Sequence, residues 1–110
     1  MMPMTSSMNC SRNDVVLLPI PFTDLTSRKV RPAIVVGGNG TDLFLVPISS
    51  VMNNTDFPLN EWRAAGLKVP SGMKVQLATV EEKLVVKIVG QLAGKDAQVL
   101  NARLRNWLKL

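Results

Sequence analysis

Residues 14–36, DVVLLPIPFTDLTSRKVRPAIVV, place two strongly apolar runs on either side of a polar loop that ends in Arg28, Lys29 and Arg31. Val15 to Leu18 is a β-branched and leucine run stopped by Pro19 and Pro21, and neither proline fits inside a central strand, so the chain must turn there. A second apolar run, Ala33 to Val36, resumes after Pro32. A basic loop held between two buried strands is a place to grip an anion. The chain contains no histidine, so any acid–base chemistry has to use other groups.

Outward from this segment, short strands dominate. Gly37-Gly38-Asn39-Gly40 supplies an Asn-Gly pair suited to a type I′ hairpin, and Leu43 to Ile48 is the returning strand. Asn53-Asn54-Thr55 and Pro58 mark a loop, after which a short helix is expected around Asn60 to Ala65, ended by Gly66. Pro70-Ser71-Gly72 reads as a turn between that helix and two further strands, Met73 to Val80 and Leu84 to Gln91, connected through Glu81-Glu82-Lys83. From Lys95 to Leu110 the period changes. Ala97, Leu100, Leu104, Trp107 and Leu108 recur at three- and four-residue steps, which predicts one amphipathic helix packed on the sheet.

Composition bounds the rest. At 110 residues with 46% hydrophobic residues and a mean hydropathy of +0.17, the chain fits one domain with a real core. A formal charge of +5 and a pI near 9.9 favour nucleic acid, anionic lipid or an acidic protein as partner, without choosing among them. Cys10 is the only cysteine, which excludes an internal disulfide and a cysteine-based metal cluster. The first twelve residues, MMPMTSSMNCSR, have neither the charged nor the apolar region of a secretion signal, and no run reaches transmembrane length. They are expected to be a disordered tail (1–12) ahead of a single domain (13–110), in a cytoplasmic protein without a membrane role.

Several chemistries drop out. Without histidine there is no Ser-His-Asp triad and no histidine zinc site. The Gly37–Gly40 stretch lacks the Gly-Lys-Ser/Thr and helix of a phosphate loop. Glu81 and Glu82 are adjacent, so on a strand they point to opposite faces. What remains is arginine, lysine, hydroxyl and amide chemistry. Arg31 stands directly before Pro32, which pushes its backbone to an extended conformation at the mouth of a strand. On spacing alone it is an ordinary surface arginine, Ser49 and Ser50 are turn formers, and Phe57 fills the core.

The same residues resemble a known family. DVVLLPIPFTDLTSRKVRPAIVV, then DLFLVPISS, DFPL, AGLKVPS and IVGQLAGKD, occur in the order of the MazF/PemK family of toxin endoribonucleases from bacterial type II toxin–antitoxin pairs. The resemblance implies a mainly β (α+β) fold: an SH3-like antiparallel β-barrel of the CcdB/PemK type, with a short internal helix and a C-terminal amphipathic helix. It implies a homodimer that cuts single-stranded messenger RNA at specific sequences without a metal or other cofactor. The ribose 2′-hydroxyl attacks, leaving a 2′,3′-cyclic phosphate and a 5′-hydroxyl end. It also implies an acidic cognate antitoxin as inhibitor.

Carried over residue by residue, the resemblance makes Arg31 the guanidinium at the scissile phosphate, Ser49 a hydroxyl on that phosphate with Ser50 beside it, and Lys74 a second catalytic cation. Arg28, Lys29, Ser50 and Gln76 would contact the RNA. Many members carry an Arg and an Asp where this chain has Lys74 and Gln76; lysine keeps the charge but not the bidentate fork, and glutamine is no base. Some members also have His or an acid in the loop, at Thr26 or Ser27 here, so the proton acceptor is unassigned, with Asp24 the nearest carboxylate in sequence. Two other readings follow: a weak or inactive RNA- and antitoxin-binding module of the same fold, and, more distantly, a gyrase poison. The latter's C-terminal Trp-Gly-Ile is absent from the ending Asn106-Trp107-Leu108-Lys109-Leu110.

Overall fold

The apolar runs that open the sequence are strands buried on both faces, which is why they show little polar alternation. A computed structural model describes residues 9–19, 29–51, 53 and 55–110. β1 (Asp14–Pro19), β2 (Val30–Asn39) and β3 (Asp42–Ser49) form the antiparallel centre. They are followed by β4 (Phe57–Pro58), β5 (Gly72–Met73), β6 (Ala78–Glu81), a 3₁₀ turn at Glu82–Leu84, β7 (Lys87–Gln91) and the helix α1 (Gly94–Leu108). The spatial order is β4-β5-β3-β2-β1-β7, with β6 also paired to β3.

Period-2 alternation sorts the central side chains into two cores. Val15 of β1, Ile34 of β2 and Val46 and Ile48 of β3 join Phe57, Met73, Leu100 and Leu104 on the face that α1 covers. Val16, Leu18, Ala33, Val35, Leu43 and Leu45 build the opposite core with Val85. Trp107 packs on the first cluster, as its helical spacing predicts. Phe57 is a core residue, 7% exposed, with Trp107 at 6.4 Å and the Arg103 guanidinium at 5.2 Å from its ring.

Four expectations are modified. First, the β2–β3 hairpin is not of type I′. A bulge between Val35 and Gly37 lengthens β2 by one residue, so Asn39 pairs with Asp42 and the turn residues are Gly40 and Thr41. Gly40 has φ +64° while Thr41 has no positive φ, the sign pattern of a type II′ turn. Second, the helix expected at Asn60 to Ala65 is a series of turns. Its hydrogen bonds have mixed spans: Ala65 N–H to Glu61 O, Gly66 N–H to Arg63 O and Leu67 N–H to Trp62 O. So short a segment gains too few bonds to offset helix nucleation.

Third, the strand expected from Met73 to Val80 is split. After Met73 the Gln76 N–H folds back to Lys74 O at 2.9 Å, and pairing to β3 restarts at Ala78. β3 therefore has β5 beside Ile48 and Ser49 and β6 beside Asp42 to Leu45. Fourth, among the described residues no pairing joins β4 to β7, so the expected barrel is a forked sheet rather than a closed cylinder.

Two buried carboxylates and the half-buried Glu82 tie the periphery down. Asp96, 1% exposed, accepts the Asn60 and Glu61 N–H groups at 3.0 and 2.9 Å, clamping the 60–66 turns to the start of α1. Asp14 accepts the Ser11 N–H at 2.7 Å and the Gln91 side-chain amide at 2.8 Å. Glu82 accepts the Cys10 N–H at 3.0 Å. Residues 9–12, in the segment expected to be a disordered tail, thus include a contact to the 3₁₀ turn; residues 1–8 lie outside the described residues.

Candidate active site

The central hairpin sets the site. Ala33 pairs with Pro47 across β2 and β3; Arg31 and Ser49 each lie two residues beyond that last pair, at the open end of the hairpin. Two steps preserve the face, so both residues belong to the same side of the sheet. On the other flank of β3, Ile48 pairs with Met73 and Ser49 with Gly72, and the Lys74 N–H donates to Pro47 O at 3.1 Å. Lys74 therefore lies opposite Pro47, one same-face step inward from Ser49. Alternation along the strands thus gives Arg31, Ser49 and Lys74 one sheet face.

At the ends of these strands is an open cleft of about 320 Å³, lined by Val30, Arg31, Pro32, Ile48, Ser49, Ser50, Val51, Leu67, Lys68, Val69 and Ser71. Its size is at the lower end of the range for ligand sites. It holds two cations, hydroxyls and exposed valines, and none of these lining residues is acidic. Such a lining suits an anion with an apolar part.

Arg31 is exposed on β2, its backbone paired to Leu18 of β1. The Val51 N–H donates to Ser49 Oγ at 3.0 Å, a turn that fixes the hydroxyl oxygen. The hydroxyl's own contact, to Val51 O, is long at 3.5 Å, so its proton is available to a better acceptor. Ser71 is different: it is 3% exposed and donates to Val69 O at 2.9 Å, a structural bond.

Of the residues singled out in the sequence, Arg31, Ser49 and Ser50 meet in the cleft. Lys74 shares their sheet face by register but is not among the cleft-lining residues, nor is Gln76, whose N–H closes the turn on Lys74. Lys29 is exposed just before β2. Arg28, Asp24, Thr26 and Ser27 lie outside the described residues. Lys68 also lines the cleft; in sequence it is a lone cation between Gly66 and Pro70.

The model of the PemK-like, MazF-like toxin of type II toxin–antitoxin systems matches residues 11–108. The chain belongs to that family. The toxin also resembles a solved structure, the Mycobacterium tuberculosis toxin MazF-mt6, with a TM-score of 0.69 over 88% of this chain and 97% of that one. At 16% identity that likeness shows the fold. No curated protein matches the toxin by sequence. The family implies an antitoxin partner, and endoribonuclease activity is general within it. Among the described residues, no helix is long and apolar enough to cross a membrane.

Proposed function

We propose that this toxin cleaves single-stranded messenger RNA at specific sequences, without a metal, through attack of a ribose 2′-hydroxyl on the adjoining phosphate. The observation that supports the reading is the cleft that brings Arg31 together with Ser49 and Ser50, with Lys74 opposite Pro47 on the strand beside Ser49. In the reaction the 2′-oxygen–phosphorus bond forms and the bond from phosphorus to the 5′-oxygen breaks. The 2′-hydroxyl proton leaves to an acceptor, and the departing 5′-oxygen takes up a proton. Arg31 neutralises the phosphorane with its planar fork. Ser49 donates a hydrogen bond to a phosphate oxygen, and Lys74 adds charge from the inner row. Ser50, Arg28, Lys29 and Gln76 are proposed RNA contacts.

An acidic antitoxin matches the +5 charge and would neutralise the toxin by covering this face. RNA substrate and antitoxin both point to the cytoplasm as the working compartment. The homodimer implied by the family finds support in a second, larger groove of about 750 Å³, lined by Phe44, Leu77, Leu104, Leu108 and Leu110 among others. Phe44, Leu77, Leu108 and Leu110 are 39%, 44%, 51% and 80% exposed, and contiguous exposed apolar surface of this kind marks a protein interface.

The test is end chemistry. Purified toxin in EDTA should cut a long single-stranded RNA at few sites, leaving 5′ ends that a kinase labels without prior phosphatase and 3′ ends that are cyclic phosphates. Fragments with 5′-phosphates would overturn the mechanism. RNA retained intact at any enzyme excess would favour the non-catalytic module.

A further inference from the structure

The cleft contains a second cation with no role assigned to it above, and the backbone on both sides of it is anchored. Lys68 lies between two anchored neighbours. On one side, Gly66 adopts φ +88° and sits so close to β7 that a Cβ would stand 2.2 Å from Val89 O; Leu67 then packs on the core that α1 covers. On the other side, buried Ser71 holds Val69 O, and Ser71 O accepts the Leu59 N–H at 2.9 Å. Lys68 and Val69 are exposed between these anchors and share the cleft with Arg31, Ser49 and Val51.

We propose that Lys68 binds a phosphate of the RNA next to the scissile one and so fixes the register of the strand across Arg31 and Ser49. The inference rests on the ribonuclease reading above. Two cations from different elements, β2 and the turn after Gly66, face one small cleft, and consecutive phosphates of a single strand are the polyanion that would use both. A lysine offers a compact point charge without a fork, which suits positional phosphate contact. The backbone that carries Lys68 is held before RNA arrives, because the turn is packed against β7 at Gly66 and tied to Leu59, just after β4, at Ser71. Since the contact is made equally in the ground and transition states, it contributes to binding more than to the chemical step.

The experiment compares wild type, Lys68→Ala, Lys68→Arg and Arg31→Ala on one defined single-stranded oligonucleotide. Cleavage kinetics are followed together with binding at several salt concentrations and thermal melting. Lys68→Ala should raise KM about tenfold, roughly the loss of one charge-assisted contact, with kcat within a factor of two of wild type. It should also flatten the dependence of log binding constant on log salt by about 0.7. Lys68→Arg should restore both, and Arg31→Ala should instead lower kcat. If Lys68→Ala melts like wild type but leaves KM and the salt slope unchanged, or lowers kcat alone, the proposal is wrong while the ribonuclease reading stands. If wild type neither binds nor cuts the RNA, the ribonuclease reading fails and the proposal with it.

Discussion

Arg31 owes its place to its neighbours in sequence: Pro32 keeps its backbone extended, and β1 pairs it to Leu18, so the guanidinium leaves the sheet at the strand end. Its candidacy came from the Arg-Pro step within the family pattern, whereas its meeting with Ser49 in one cleft depends on how β2 and β3 pair, which no local rule supplies. Ser49 is a turn former, as its position suggested, and that turn is what orients its hydroxyl. Ser49→Ala should lower kcat about 10²-fold, the order observed on removing one transition-state donor, and Ser49→Thr should retain most of the activity. An unchanged kcat in Ser49→Ala would remove Ser49 from the site. Cys10 makes a separate prediction. Burial, with the negative charges of Glu82 and Asp14, pushes its thiol from 9.0 up to about 11. Alkylation by iodoacetamide at pH 8 should therefore be slow in the folded protein and fast after unfolding in urea. As pH rises from 9.0 toward about 11 the unfolded chain loses this proton first, so the group's contribution to stability is lost across that window.

At the scale of elements, the three strands Asp14–Pro19, Val30–Asn39 and Asp42–Ser49 and the helix Gly94–Leu108 were readable because apolar runs and a 3.6-residue period are local signals. What was not readable arose from contacts distant in sequence. The bulge in β2 moved the hairpin turn, the fork of β3 divided an expected strand, and the clamp by Asp96 on Asn60 and Glu61 spans 36 and 35 residues. Two substitutions examine that clamp and the fit behind it. Gly66→Ala should cost about 2 kcal/mol or more, since its Cβ would meet the Val89 carbonyl at 2.2 Å on a backbone with φ +88° that disfavours a side chain. Asp96→Ala should cost about 2 kcal/mol by leaving two backbone N–H groups without an acceptor. Gly94→Ala is the control: a Cβ there meets nothing within 4 Å, so stability should hold or rise slightly. Urea midpoints with unchanged slopes would read all three, and a Gly66→Ala midpoint equal to wild type would contradict the close approach to β7.

For the molecule as a whole, a basic chain of +5 carries two unlike surfaces: a cationic cleft at the ends of β2 and β3, and an apolar groove between α1, Phe44 and Leu77. We assign RNA to the first and a second copy of the chain to the second. Leu77→Asp places a charge on the apolar groove without touching the cleft. Sedimentation should find a wild-type dimer and a largely monomeric Leu77→Asp, and a variant that sediments as the wild-type dimer would move the interface elsewhere. Composition favours an anionic partner but offers no place for one, because the cleft combines residues from β2, β3 and the turn after Gly66 that only the fold brings together. Within that cleft, Arg31 is proposed to act on the scissile phosphate. The most direct test of that role is single-turnover cleavage of one single-stranded RNA in EDTA by wild type and by Arg31→Ala, with binding measured in parallel. We predict that wild type cuts at few sites and that Arg31→Ala still binds the RNA but does not detectably cut it; cutting by Arg31→Ala at the wild-type rate would contradict the account.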